Sequence, residues 1–152
     1  MKNLNQDCFN WSVSRNKTYH VDNNKIWQVI SSPSNLELFH PFCKKNPSLK
    51  WSGIDSLDEI HYYNDMILVR EFTNWIDGVG YDLFIGKKNG EKSFVSWRIK
   101  DQGSNSNLSI TIYPHYKNKG NRILNFAPFF IFVKPSLISY LDSVLLGLNY
   151  YI

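Results

Sequence analysis

Apolar residues follow two different periods along this chain. Over residues 10–21 they alternate. Trp11, Val13, Tyr19 and Val21 share one parity, and Ser12, Ser14, Asn16, Thr18 and His20 take the other, the pattern of a half-buried strand. Over residues 135–152 the period lengthens. Leu137, Leu141, Val144, Leu148 and Tyr151 are spaced by 4, 3, 4 and 3 residues, which places them on one face of an α-helix. Ile138, Leu145 and Ile152 widen that stripe. Pro135 suits a first helical turn, where its missing N–H costs no hydrogen bond. Such a helix spans roughly 25 Å at about 1.5 Å per residue, enough to lie across a small sheet.

Between these two elements the pattern predicts two short helices and then strands. Asp22 or Asn23 can cap a helix running through Ser31, with Ile26, Trp27, Val29 and Ile30 as its apolar positions. Pro33 opens a second short helix over residues 34–39, which His40-Pro41 ends. Strand patterns follow at 49–53, 58–63, 66–76, 80–87, 92–101 and 108–115. The breaks carry turn chemistry: Asn64-Asp65, Asp77-Gly78, Asn89-Gly90 and Gly103-Ser104-Asn105. Asn89-Gly90 is the strongest hairpin signal, and the short connections predict an antiparallel meander. Tyr81, Leu83 and Ile85 should share a face, as should Val95, Trp97 and Ile99, and Leu108, Ile110 and Ile112. In 66–76 the register stays open, because Arg70 and Phe72 compete with Glu71 and Trp75 for the inner face.

A chain of 152 residues suits a single domain, here residues 10–152 behind a polar tail at 1–9 that is expected to be flexible. Aromatic residues make up 16% of it, enough for a thick core or a cavity wall. The formal charge is +4, carried by loose lysine groups such as Lys87, Lys88 and Lys92 beside a turn. No nucleic-acid motif accompanies them, so nucleic-acid partners are not expected. Cys8 and Cys43 match no zinc spacing or disulfide framework and are expected to stay reduced. The four histidines form no i, i+4 pair, so no metal is expected, and no cofactor motif is present. G-x-S-x-G, Walker A and HExxH motifs are all missing, so no residue is assigned a catalytic role. The longest apolar run, 123–133, is broken by Asn125 and Pro128, and the first residues do not read as a signal peptide. The expectation is a cytoplasmic protein without stable membrane insertion.

The order of strand, two short helices, antiparallel strands and long helix resembles the START, polyketide-cyclase and pathogenesis-related-protein superfamily (SRPBCC). The local text agrees. Residues 21–36, VDNNKIWQVISSPSNL, are similar to the family's opening, in which a strand meets a helix with a Val/Ile-Trp pair, then a Ser/Asp-Pro turn. His40-Pro41-Phe42 fits a His-Pro step seen in many members, and residues 139–151 resemble the closing helix of bacterial polyketide-cyclase-like members. The resemblance covers residues 10–152. It departs from the family at Asp22-Asn23, where a small residue and proline are usual, which alters the helix cap. It implies an α+β helix-grip fold: a curved antiparallel sheet of about seven strands around the long C-terminal helix, with a cavity between them. Members bind or transport lipids, sterols, polyketides, plant hormones and other apolar molecules. Some cyclise or dehydrate polyketides, and a few act as co-chaperones or toxin–antitoxin-type factors.

The expected ligand is therefore an apolar or aromatic small molecule or lipid. Its pocket should be lined by Trp75, Tyr81 and Trp97, and by Tyr140, Val144 and Gly147 of the final helix. Gly147 is included because a missing side chain on a densely filled helix leaves room, either for close backbone approach or for the cavity. His40 stands near the expected mouth, and Phe129, with Phe126, Phe130 and Phe132, in a segment that could gate it or touch a membrane. Either Arg70 or Glu71 should be a polar anchor inside. His20, His61, Tyr113 and His115 should face outward. A polyketide cyclase or dehydratase is the alternative, requiring Arg70 or Glu71 to converge with a tyrosine. An interaction module with a filled core is the third reading.

Overall fold

The computed structural model describes residues 8–152. Strand β1 (Val13–Tyr19) leads to helices α1 (Asn23–Ile30) and α2 (Leu36–Phe39). Seven strands follow: β2 (Cys43–Lys45), β3 (Ser48–Lys50), β4 (Leu57–Tyr62), β5 (Ile67–Ile76), β6 (Gly80–Gly86), β7 (Lys92–Gln102) and β8 (Asn105–Tyr113). The chain closes with α3 (Arg122–Pro128), a π-helical turn (Phe129–Val133) and α4 (Lys134–Tyr151). The expected flexible tail falls mostly outside the described residues, and Phe9 is already buried, 6.1 Å from the ring of Tyr113.

All strand pairings are antiparallel, in the order β1-β8-β7-β6-β5-β4-β2, with β3 also on β4. This is a curved eight-stranded sheet that grips a long helix. The alternation in β7 and β8 is the one expected: Val95, Trp97 and Ile99, with Leu108, Ile110 and Ile112, are buried on one face. Gly103 at φ 79° opens the two-residue turn between them, a conformation that favours glycine. Asp22 caps α1 by accepting from the Lys25 N–H at 2.9 Å. From α4, Leu137, Leu141, Val144, Leu145 and Leu148 are buried against the sheet. The Tyr19 hydroxyl donates to Leu145 O at 2.7 Å, tying β1 to the helix.

Two expectations need correction. Instead of one strand at 49–53 there are two three-residue strands, β2 and β3. Asn46 separates them, because its side chain is drawn into the core: Oδ1 accepts from the Leu36 N–H, and Nδ2 donates to Asp58 and to Glu59 O. The last helix, α4, has Pro135 in its first turn as expected, but it continues an unbroken helical run of 30 residues that begins at Arg122. Pro128 does not break it, because the Phe129 N–H still bonds to Asn125 O, and the π-turn that follows closes on Phe129 O from Lys134. By length and composition alone this helix could cross a membrane, contrary to the reading of a broken apolar run.

Candidate functional site

A cavity of about 590 Å³ lies between the sheet and α4. Its wall is mostly aliphatic: Leu83, Val95, Ile110 and Ile112 from the sheet face Leu137, Leu141 and Val144 from the helix. Leu36 and His40 close one end, and exposed Met66, Lys87, Glu91, Tyr116 and Ser136 form the mouth.

The register of β5 settles which charge points inward. Arg70 is buried and lines the cavity, while Glu71 lies on the outer face, 3.9 Å from Lys92. Arg70 is not bare. Its Nε donates to Asp58 Oδ1 at 2.8 Å, Nη2 donates to Asp58 Oδ2, and Nη2 also reaches Asn35 Oδ1 at 3.5 Å. Burial works against the guanidinium charge, but Asp58 outweighs it and raises the pKa of Arg70. This wall is polar yet formally neutral.

A second polar group stands near it, within reach of the Arg70 charge. Nε2 of His40 is 2.7 Å from the Tyr140 hydroxyl, which is 3.0 Å from the Tyr62 hydroxyl. The Phe42 N–H donates to His40 Nδ1 at 3.3 Å. That bond requires a lone pair on Nδ1 and so assigns the ring proton to Nε2. His40 then donates to Tyr140, whose hydroxyl shares a hydrogen bond with that of Tyr62, and both tyrosines line the cavity. Burial, with the charge of Arg70, pushes His40 down to about 3. Burial also raises Tyr62, and raises Tyr140 well above its usual value. All three groups are neutral across ordinary pH.

Of the residues expected at the pocket, Trp97, Tyr140, Val144, His40 and Arg70 come together around it. Trp75, Tyr81, Gly147, Phe129 and Glu71 do not. Tyr81 stacks on Trp75 at 5.5 Å, and Trp27, Trp51 and Phe72 complete an aromatic cluster that fills the neighbouring end of the sheet. Phe129 packs on Trp11 at 4.9 Å. Gly147 faces α2, where an added Cβ would stand 2.2 Å from Phe39 O. The glycine is therefore needed for close backbone approach and not for the cavity.

Sequence reasoning missed Asp58 and Tyr62, although both share the parity of the inward Ile60. It also placed His115 outward. β8 ends at Tyr113, the chain turns, and His115 lines the cavity with Nδ1 2.9 Å from Ser93 Oγ. Among the described residues, no three His, Cys, Asp or Glu side chains are grouped as a metal ion would require.

No protein-family model matches the chain, and no curated protein matches its sequence. Solved structures do match in fold. The protein XoxI from Bacillus cereus has a TM-score of 0.69 at 10% identity, covering 91% of this chain and 93% of that one. A START superfamily protein from Mycobacterium smegmatis has a TM-score of 0.66 at 10% identity, covering 91% and 94%. The di-domain ARO/CYC BexL from the BE-7585A biosynthetic pathway has a TM-score of 0.73 at 7% identity, with 93% of this chain on 46% of that one. At such identities the likeness is one of fold: this chain has the START-like, polyketide-cyclase-like helix-grip fold.

Proposed function

We propose that the protein binds, and can carry, an uncharged apolar or aromatic small molecule or lipid in the cavity beneath α4. The observation that carries this reading is the cavity itself: about 590 Å³, apolar over most of its wall, with few polar groups set to orient a guest. Arg70 is matched by Asp58, so the wall offers little to a charged ligand. The Tyr62–Tyr140 pair offers hydroxyl groups to the cavity, which suits a carbonyl or ether oxygen on an otherwise apolar frame. Fold neighbours described as START-like and as ARO/CYC are consistent with such a guest.

A cyclase-like or dehydratase-like activity is the second reading, favoured by the hydrogen-bonded chain His40–Tyr140–Tyr62 at the wall. Its weakness is protonic. With His40 at about 3 and the tyrosines raised, none of these groups exchanges protons readily near neutrality.

The test is titration with the neutral fluorophore N-phenylnaphthylamine, with native mass spectrometry of protein purified from its source. Saturable uptake should weaken in Val144→Trp, whose indole would occupy the cavity. Equal affinity in a folded Val144→Trp variant would remove the cavity from consideration.

A further inference from the structure

The helix that leads into the cavity roof is apolar on the side facing away from the protein. α3 buries none of its residues. Ile123 is 87% exposed, Leu124 74%, Phe126 56%, Ile131 61% and Phe132 72%. Single exposed apolar residues are ordinary, but these lie together on one helical segment and form a patch. Firm anchoring on the inner side holds them there. Asn121 Oδ1 accepts from the N–H groups of Ile123 and Leu124, Asn125 Nδ2 donates to Lys119 O at 2.7 Å, and Phe129 is fully buried.

Charge along this segment is one-sided, with Glu91 of the adjoining cavity mouth as a counter-charge. Residues 102–141 contain Lys117, Lys119, Arg122 and Lys134 and not one Asp or Glu. Lys119, Arg122 and Lys134 lie over the rings of Phe9, Trp11 and Phe130 at 5.0, 5.3 and 5.3 Å, so cations border the apolar surface directly. The cavity mouth adjoins this region: Ser136, about one turn beyond Phe132, lines it, as does Tyr116 just before the basic loop.

We propose that this face docks on a bilayer surface containing anionic lipid. Ile123, Leu124, Ile131 and Phe132 would enter the boundary between headgroups and acyl chains, and the four cations would meet lipid phosphates. A second copy of this chain fits the patch less well, since self-pairing would set the same four cations, carried by a segment without an Asp or Glu, against each other. Docking is peripheral, because Leu141, Val144, Leu145 and Leu148 commit α4 to the core. In this pose the cavity mouth lies close to the bilayer, giving an apolar molecule a short path between the two.

The experiment is flotation of the full chain with vesicles of phosphatidylcholine alone or mixed with phosphatidylglycerol, at low and high salt, beside light scattering of the free protein. No cavity ligand is needed, so the outcome is independent of the proposed binding function. We expect flotation with the mixed vesicles only, reduced by salt. Leu124→Ser/Phe132→Ser should weaken it by about tenfold or more while its melting temperature is kept. Lys117→Gln/Arg122→Gln should weaken it selectively at low salt. Three results would each overturn the proposal: no flotation of folded protein, equal flotation with both vesicle types, or a dimer that Phe132→Ser dissociates.

Discussion

Asp58 and Arg70 face each other across β4 and β5 as direct register partners, and both side chains are buried, Arg70 at the cavity wall. Neither is in contact with enough water to stabilise it alone, so each charge depends on the other. Asn46 and Asn35 extend the pair, Asn46 Nδ2 donating to Asp58 Oδ2 at 3.0 Å and Asn35 Oδ1 accepting from Arg70. Through Asn46 the network also fixes the entry to α2, since its Oδ1 accepts from the Leu36 N–H.

Removing one charge should therefore be severe. Arg70→Met is expected to cost about 3–5 kcal/mol in urea unfolding, because Asp58 is left buried and unpaired. Asp58→Leu/Arg70→Met should recover part of that loss and no more, since Asn46 and Asn35 would still lose partners. A double variant no more stable than Arg70→Met alone would show that the pair is not the coupled unit.

His40 gives a pH dependence with a defined sign. Its folded pKa of about 3 lies below the ordinary 6.5, so the unfolded chain takes up a proton the native chain refuses. Its stabilising contribution is full above pH 6.5 and is lost as pH falls from 6.5 towards about 3. His40→Gln keeps a donor for Tyr140 and should flatten that part of a melting-temperature profile. An unchanged profile would mean that His40 titrates normally.

Tyr62 is the cavity end of the hydroxyl chain. Tyr62→Phe removes that hydroxyl and little volume. Affinity for an aromatic ketone should fall by about 2- to 10-fold, the value of one hydrogen bond, while affinity for the matching hydrocarbon stays the same. Calorimetric titration of both compounds checks this, and an equal loss for the two would place the effect in shape.

The fold was largely legible because two periods carried it. Strict alternation in β7 and β8 fixed their faces, and the stripe from Leu137 to Leu148 fixed the face of α4. The cavity was harder to read, since its wall is made of the same aliphatic residues as a filled core. Arg70 and Glu71 are adjacent on one strand, so periodicity alone could not choose between them; Asp58, directly across on β4, makes the choice. The aromatic residues misled for a related reason. Trp75 and Tyr81 have the bulk of cavity linings, yet they satisfy one another in a packed cluster. Pro128 misled because a proline six residues into a helix leaves the next N–H free to bond, and the π-turn absorbs the rest.

Cys43 sits buried on β2, its thiol donating to Lys45 O at 3.3 Å. Burial, with Glu37 nearby, raises its pKa to about 11. Native protein should therefore show rapid alkylation at exposed Cys8 alone, with Cys43 reacting at the rate of unfolding. Denatured protein should give two free thiols. Rapid native alkylation of both would mean that β2 opens readily.

Gly147 lies within α4, where alanine would ordinarily gain about 1 kcal/mol of helix propensity. Here the sign should reverse. A Cβ would come 2.2 Å from Phe39 O and 3.3 Å from Pro41 Cδ, and the nearer obstacle is backbone that cannot rotate aside. α2 would have to withdraw from α4, disturbing the neighbouring His40–Tyr140 bond. Gly147→Ala is therefore expected to cost about 1–3 kcal/mol, as overpacking does, and Gly147→Leu should not fold stably. Thermal unfolding measures the first. Amide shifts of residues 39–42 would show whether the damage travels through α2, and a Gly147→Ala variant as stable as the wild type would mean that the two helices are not in close contact.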